Sequence, residues 1–273
     1  GRDGIWHQAL TNELIKNFPP QNPAFADQIL FNYHYFYNLL VSQTSKFTGI
    51  DVINLIYRFY PLTFSVLLGI GTYLLSNILF KNRLATIFSL FFVYFGGSFG
   101  WIVELMKTGK PFGGESTFWA NQAVSMNLNP PFAISLVLFI ASILAVSIFS
   151  EKPNKLKALI IILLSGSLIG FKVYAGVIIL FGLFMMSVIS AFKKDLRFVY
   201  IFLLCLFLSL AIFLPSSYAA TTLLVISPLW LVHSMIDFSD RVGWMKLSGA
   251  RMAYLAQGLW LKLLAVEAIG LAI

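Results

Sequence analysis

Val173-Tyr174-Ala175-Gly176-Val177-Ile178-Ile179-Leu180-Phe181-Gly182-Leu183-Phe184-Met185-Met186-Ser187-Val188-Ile189-Ser190-Ala191-Phe192 is an uncharged run that stops at the basic cluster Lys193-Lys194-Asp195-Leu196-Arg197. A helix of this length, rising 1.5 Å per residue, crosses a hydrocarbon core of roughly 30 Å. The run is preceded by Ala158 to Gly170, short for a crossing, and by Lys172, so the pair reads as a helical hairpin with Lys172 near its tip. Further out the pattern repeats. An uncharged run between Arg58 and Lys81, a return from Leu84 to Val103, a span from Pro131 through Phe149 and another from Phe198 to Leu214, ended by Pro215, alternate with short basic turns.

Composition agrees. The 273 residues are 59% hydrophobic, 16% aromatic and 11% charged, against roughly half apolar and a quarter charged in a soluble domain. That excludes a soluble enzyme, a disordered chain and a nucleic-acid-binding domain. The net charge of +8 falls largely in short loops between spans, where membrane topology accounts for it. The lone cysteine, Cys205, lies in an apolar run, which leaves no intrachain disulfide framework and no cysteine-based metal site. The chain opens on Gly1-Arg2-Asp3 and closes within the apolar stretch Leu263 to Ile273, and is expected to be a fragment with membrane helices missing at both ends.

The fold expected is all-α: a polytopic α-helical membrane protein with extracytoplasmic loops and interfacial helices. Residues 1–273 form a single membrane domain fragment. Within it, 1–50 make a first extracytoplasmic loop with an interfacial helix, and 52–214 the transmembrane helices. Residues 215–254 make an extracytoplasmic or interfacial segment, with an interfacial helix across His233 to Arg251, and 255–273 start a further transmembrane helix. The turns Lys81-Asn82-Arg83, Glu151 to Lys157 and Lys193 to Arg197 gather Lys and Arg on one side, which the positive-inside rule makes cytoplasmic. The opening fifty residues, a polar loop from about Lys107 to Pro130, the Lys172 tip and the region after Pro215 then share the opposite face. Loops carry most chemistry, so the active surface is expected there. No internal repeat is evident, which weakens a transporter built from inverted halves.

In Gly1 to Ile15 apolar residues recur at helical spacing, and Pro19-Pro20 stops the pattern. Asp3 is placed as the N-cap, and His7 lies four residues on, sharing a face with Leu10 and Leu14. A carboxylate beside an imidazole can hold one tautomer or take a proton from a hydroxyl. The alternative is a capping Asp and a surface His. Phe18-Pro19-Pro20-Gln21-Asn22-Pro23-Ala24-Phe25-Ala26-Asp27 cannot be a regular helix, and Asn32-Tyr33-His34-Tyr35-Phe36-Tyr37 follows it, alternating aromatic and polar groups.

An acidic residue before a His-bearing amphipathic helix, a Pro-rich loop and an Asn-Tyr-x-Tyr-Phe motif entering a membrane span resemble the first extracytoplasmic loop of the polytopic GT-C glycosyltransferases. The segment is particularly similar to the bacterial and archaeal membrane proteins named for a Tyr-Tyr-Tyr motif, with a further likeness to protein-mannosyltransferase-like transferases that use polyprenyl-phosphate sugars. It differs in Phe25 for a Trp, Asp27 for a Gly and His34 for the middle Tyr. The resemblance covers about the first forty residues closely. It implies a multi-pass protein of a bacterial or archaeal plasma membrane, with its active face extracytoplasmic. Such a protein transfers a sugar from a polyprenyl-phosphate-linked donor to a glycan, lipid or protein acceptor, with Asp3 as the catalytic acid residue and His7 beside it. A transporter or flippase of lipid-linked glycans and a non-catalytic membrane subunit are the alternatives.

Lys172, in Gly170-Phe171-Lys172-Val173-Tyr174, is an ionisable residue between two apolar runs, which is costly unless it is paired or functional. It is suited to a donor phosphate, with Tyr174 adding a hydroxyl, or else it snorkels to the headgroups. His34, Tyr35 and Glu115 complete the candidate donor and substrate contacts. Glu104 and Glu115 flank the second outer loop, where they suit a divalent metal or acceptor hydroxyls, although solvated carboxylates are the simpler reading. No metal-ligand spacing stands out. Asn127 and Asn129 before Pro130-Pro131 favour helix capping. Tyr33, Tyr35, Phe36, Trp101, Trp119 and Trp230 suit sugar stacking or a lipid groove, or the aromatic belts of a membrane interface. Asp237, Asp240 and Arg241 read as a local polar cluster.

Overall fold

The computed structural model describes residues 2–25, 27–97, 99–110, 122–217, 229–238 and 243–272. Helices make up nearly all of the regular structure. The described residues hold no strand beyond an isolated bridge between Gln21 and Ile29. They gather into two compact units, residues 1–90 with 126–223 and residues 91–125 with 224–273.

The first unit contains α1 (Arg2–Lys16), α2 (Phe36–Thr48) and α3 (Val52–Phe80), then α7 (Pro130–Glu151), α8 (Lys155–Phe171), α9 (Val173–Phe192) and α10 (Arg197–Ser217). Of these, α3, α7, α9 and α10 are long and apolar enough to cross a membrane. Their outward surface carries large apolar side chains such as Ile70, Phe181, Leu203 and Phe207. Small hydroxyls lie inside: Thr72, Ser142, Ser187 and Ser209 on these helices and Ser165 on α8 are all buried. That inversion of the soluble pattern is the one expected of helices whose solvent is lipid, where close approach of small residues replaces hydrophobic exclusion of water. Ser209 donates from α10 to the Gly166 carbonyl of α8 at 3.0 Å. Val146, Phe149, Ile161, Leu183, Ile201 and Cys205 form the apolar core where α7 to α10 meet.

Lys172 adopts an extended conformation between α8 and α9, and the chain reverses there as the sequence implies. The hairpin is tight because Gly176 presents no side chain. A Cβ at that position would stand 2.7 Å from the Ile169 Cα. Helix starts are set by local side chains: Asn129 accepts from the Phe132 amide, as the sequence suggested, and Asn154 from the Lys157 amide.

Several boundaries differ from expectation. The return span from Leu84 to Val103 is not one helix. It divides into α4 (Arg83–Phe95) and α5 (Gly100–Thr108) at Gly96-Gly97, where glycine removes the preference for continuing. The loop from Lys107 to Pro130 contains the end of α5 and a short α6 (Gln122–Leu128). Pro215 does not end its span, because α10 continues to Ser217 and the Ser216 hydroxyl donates to the Phe213 carbonyl. The aromatic motif enters α2, whose 13 residues give only about 20 Å of rise, too little for a crossing. Asp3 is not the N-cap: Arg2 is already helical, so Asp3 sits in the first turn, where a carboxylate still complements the helix dipole.

The second unit includes α11 (Trp230–Asp237), α12 (Met245–Ala256) and α13 (Trp260–Ala272). The single interfacial helix expected across His233 to Arg251 is thus two helices, α11 and α12, which share a core with α13 made of Val232, Ile236, Leu247 and Val266. Asp237 accepts from Ser248 at 2.6 Å and from Arg251 at 2.7 Å, while His233 pairs with Glu267 at 2.9 Å. Asp240 and Arg241 lie outside the described residues.

Candidate functional site

Helix α1 is amphipathic, and it lays Leu10 and Leu14 against Leu30 under a cover of Trp6, Tyr33, Tyr35 and Leu39. The same stripe carries His7 inward. His7 is 4% exposed, which overturns the surface-His alternative, whereas Asp3 on the first turn is exposed. The partner that holds His7 comes from α2. Asn38, fully buried, donates to the His7 carbonyl at 2.9 Å and to Thr11 Oγ1 at 3.1 Å, and its Oδ1 lies 3.3 Å from His7 Nδ1. Thr11 Oγ1 in turn donates to the His7 carbonyl at 2.7 Å. The Tyr37 ring stands edge-on to the imidazole, 5.5 Å between centroids.

The loop from Asn32 to Tyr35 is fixed at both ends. The Asn32 amide donates to the Ser216 carbonyl at 2.6 Å, and the Phe36 ring rests on the bare face of Gly170, where any Cβ would collide with it. His34 stacks on Tyr33 at 5.0 Å with 12° between planes, Trp6 meets Tyr33 edge-on, and Phe18 meets Tyr35 edge-on. Asn32, Tyr33, His34, Tyr35 and Phe36 border a small open cleft. Its other walls are Ile169, Gly170 and Val173 at the hairpin tip and Ile212, Phe213, Ser216 and Ser217 at the end of α10.

The charges are coupled across the same region. Burial lowers the His7 pKa from its ordinary value, opposed by the Asn38 hydrogen bond and the Asp3 charge and assisted by Lys172. Burial also takes His34 down to about 4, with Lys172 and His7 pushing the same way. Lys172 is lowered by burial and restored in part by Asp3. Burial raises the Tyr33 hydroxyl. Both imidazoles are therefore neutral near pH 7, able to accept a hydrogen bond as well as donate one.

The structure thus brings together Asp3, His7, His34 and Lys172, and it sets Tyr35 on the cleft. Tyr174 is half exposed on α9 with its ring 6.0 Å from Lys172 Nζ. Glu115 and Trp119 lie outside the described residues, and Glu104 is on α5. Trp101 and Trp230 are exposed, at 41% and 58%, as belt residues would be. Among the described residues no three His, Cys, Asp or Glu side chains converge as a metal site. Sequence reasoning missed Asn38 and Thr11. The available signals were Thr11 one turn after His7 and an amide at the start of an otherwise amphipathic helix. No family model, curated protein or solved structure matches this chain.

Proposed function

We propose that this chain belongs to a multi-pass membrane glycosyltransferase of the GT-C type. It transfers a sugar from a polyprenyl-phosphate-linked donor to a glycan, lipid or protein acceptor on the extracytoplasmic face of a bacterial or archaeal plasma membrane. The observation that supports this most is electrostatic. The charges of Asp3 on α1 and Lys172 at the α8–α9 turn both reach the buried imidazole of His7, and that of Lys172 also reaches His34, which lines an open cleft. Such an assembly suits a transfer in which a carboxylate takes the acceptor's proton and a cation stabilises the departing phosphate.

Each residue has a distinct part in this reading. Asp3, exposed at the start of α1, is the general base. His7 lies beside it and meets the acceptor. Lys172 contacts the donor phosphate, and His34 and Tyr35 line the sugar-bearing cleft. The reading is tested first at the donor. Lys172→Met keeps most of the apolar stem while deleting the charge. Titration of the purified full-length protein with a polyprenyl-phosphate sugar is expected to show donor affinity at least tenfold weaker, with folding intact. Unchanged donor affinity and turnover would return Lys172 to the role of a residue that snorkels.

A further inference from the structure

We infer that Asn38 is a positioning residue that holds His7 as its Nδ1–H tautomer, leaving Nε2 as the hydrogen-bond acceptor for a hydroxyl of the acceptor substrate. The identity of that hydroxyl's owner rests on the transferase reading; the tautomer does not.

The amide of Asn38 has two unlike ends, a donor and an acceptor. One end of it faces two oxygens, the His7 carbonyl at 2.9 Å and Thr11 Oγ1 at 3.1 Å. The Thr11 hydroxyl already spends its own hydrogen on the His7 carbonyl, so toward Asn38 it presents lone pairs. Only the NH2 end of an amide satisfies two acceptors at once; the oxygen end there would be repelled twice. The oxygen of Asn38 consequently faces His7 Nδ1, at 3.3 Å. That contact is favourable only when Nδ1 carries a hydrogen. In a neutral imidazole the other nitrogen then holds the lone pair.

The surroundings keep this arrangement fixed. Asn38 is 0% exposed and His7 4%, so water does not compete for the amide, and the Tyr37 ring limits rotation of the imidazole. The charged groups whose fields reach His7 are Asp3 on its own helix and Lys172 at the hairpin tip, and His7 in turn acts on His34 in the aromatic loop. Among the described residues the only side-chain hydrogen-bond partner of the imidazole is Asn38. A bare Nε2 selects a ligand that brings a hydrogen, and an alcohol does so. A carboxylate or phosphate oxygen would meet lone pair with lone pair. An alcohol has one hydrogen, so the hydroxyl held by Nε2 is a neighbour on the acceptor of the hydroxyl whose proton passes to Asp3, and His7 orients the acceptor without taking part in that proton transfer.

The experiment is nitrogen NMR on full-length protein labelled at its three histidines in nanodiscs near pH 7, with His7→Gln to assign the signal. A protonated Nδ1 and an unprotonated Nε2 are expected at His7. Asn38→Leu should abolish that preference, whereas Thr11→Val, which leaves the His7 carbonyl to orient the amide, should preserve it. A purely packing role for Asn38 would not separate the two variants. A wild-type spectrum with hydrogen on Nε2 overturns the proposal and needs no variant to fold. In transfer assays Asn38→Leu should raise the acceptor KM about tenfold with the donor KM unchanged; an altered tautomer with an unaltered acceptor KM would remove Nε2 from acceptor binding. If no lipid-linked sugar were transferred at all, the transferase reading and the role given to Nε2 would fall, and the spectrum would still decide the tautomer.

Discussion

His34 stays neutral across the physiological range because the folded chain holds its pKa near 4 while the unfolded chain returns it to 6.5. Between those values the unfolded state binds more protons, so folding loses stability as pH falls through this window. Stability should be level above pH 7 and decline from about pH 6.5 to 4. His7, lowered in the same direction by burial, adds to the decline. Thermal unfolding in detergent across this range checks it, and His34→Gln should flatten part of the slope. An equal slope in wild type and His34→Gln would assign the acid sensitivity elsewhere. At this scale Asp3, His7, His34 and Lys172 stand out as candidates from spacing and resemblance, since each is a polar residue where an apolar one would suffice. Asn38 and Thr11 do not. Their importance depends on two helices meeting, and periodicity within one helix says nothing of which residue of the next will face it.

The α8–α9 hairpin is the element that presents Lys172, and its geometry depends on Gly176 lying against the Ile169 backbone. Gly176→Val requires the two helices to separate, at a cost of roughly 1–3 kcal/mol. Gly182, on the same helix, meets nothing within 4 Å of a built Cβ, so Gly182→Ala should be neutral or slightly stabilising. Unfolding midpoints of the two variants measured side by side separate a specific close approach from a general aversion to larger residues in α9. Equal loss in both would contradict the contact. The hairpin itself was readable from the sequence because a lone Lys between apolar runs is a strong boundary. The division of the 84–103 run was not, because Gly96-Gly97 breaks some apolar helices and is tolerated in others, and hydropathy weighs both cases alike. The short α2 was misjudged for a related reason: the apolar stripe that buries Tyr37 and Val41 looks locally like the beginning of a span.

Among the described residues, four apolar helices with small hydroxyls inside and large apolar side chains outside show the pattern expected of helices that face lipid. The basic turns at 151–157 and 193–197 meet in one cleft of the first unit, lined by Ser150, Pro153, Lys193 and Arg197, whereas the aromatic loop and hairpin tip meet in another. Single cysteines introduced in a Cys205→Ser background should therefore separate. A cysteine at 154 should react only after the membrane is permeabilised, and one at 22 should react in intact cells. The reverse would move the proposed site to the cytoplasmic face.

We propose Asp3 as the base of a sugar transfer, and the measurement that decides it is turnover of Asp3→Asn in the full-length protein, reconstituted with a defined polyprenyl-phosphate sugar and acceptor. The substitution preserves size while removing the proton-accepting charge. Turnover is predicted to fall by roughly 10²- to 10⁴-fold with expression and membrane insertion unchanged. Near-normal transfer by Asp3→Asn would contradict the claim and leave Asp3 as a first-turn carboxylate serving only the helix dipole.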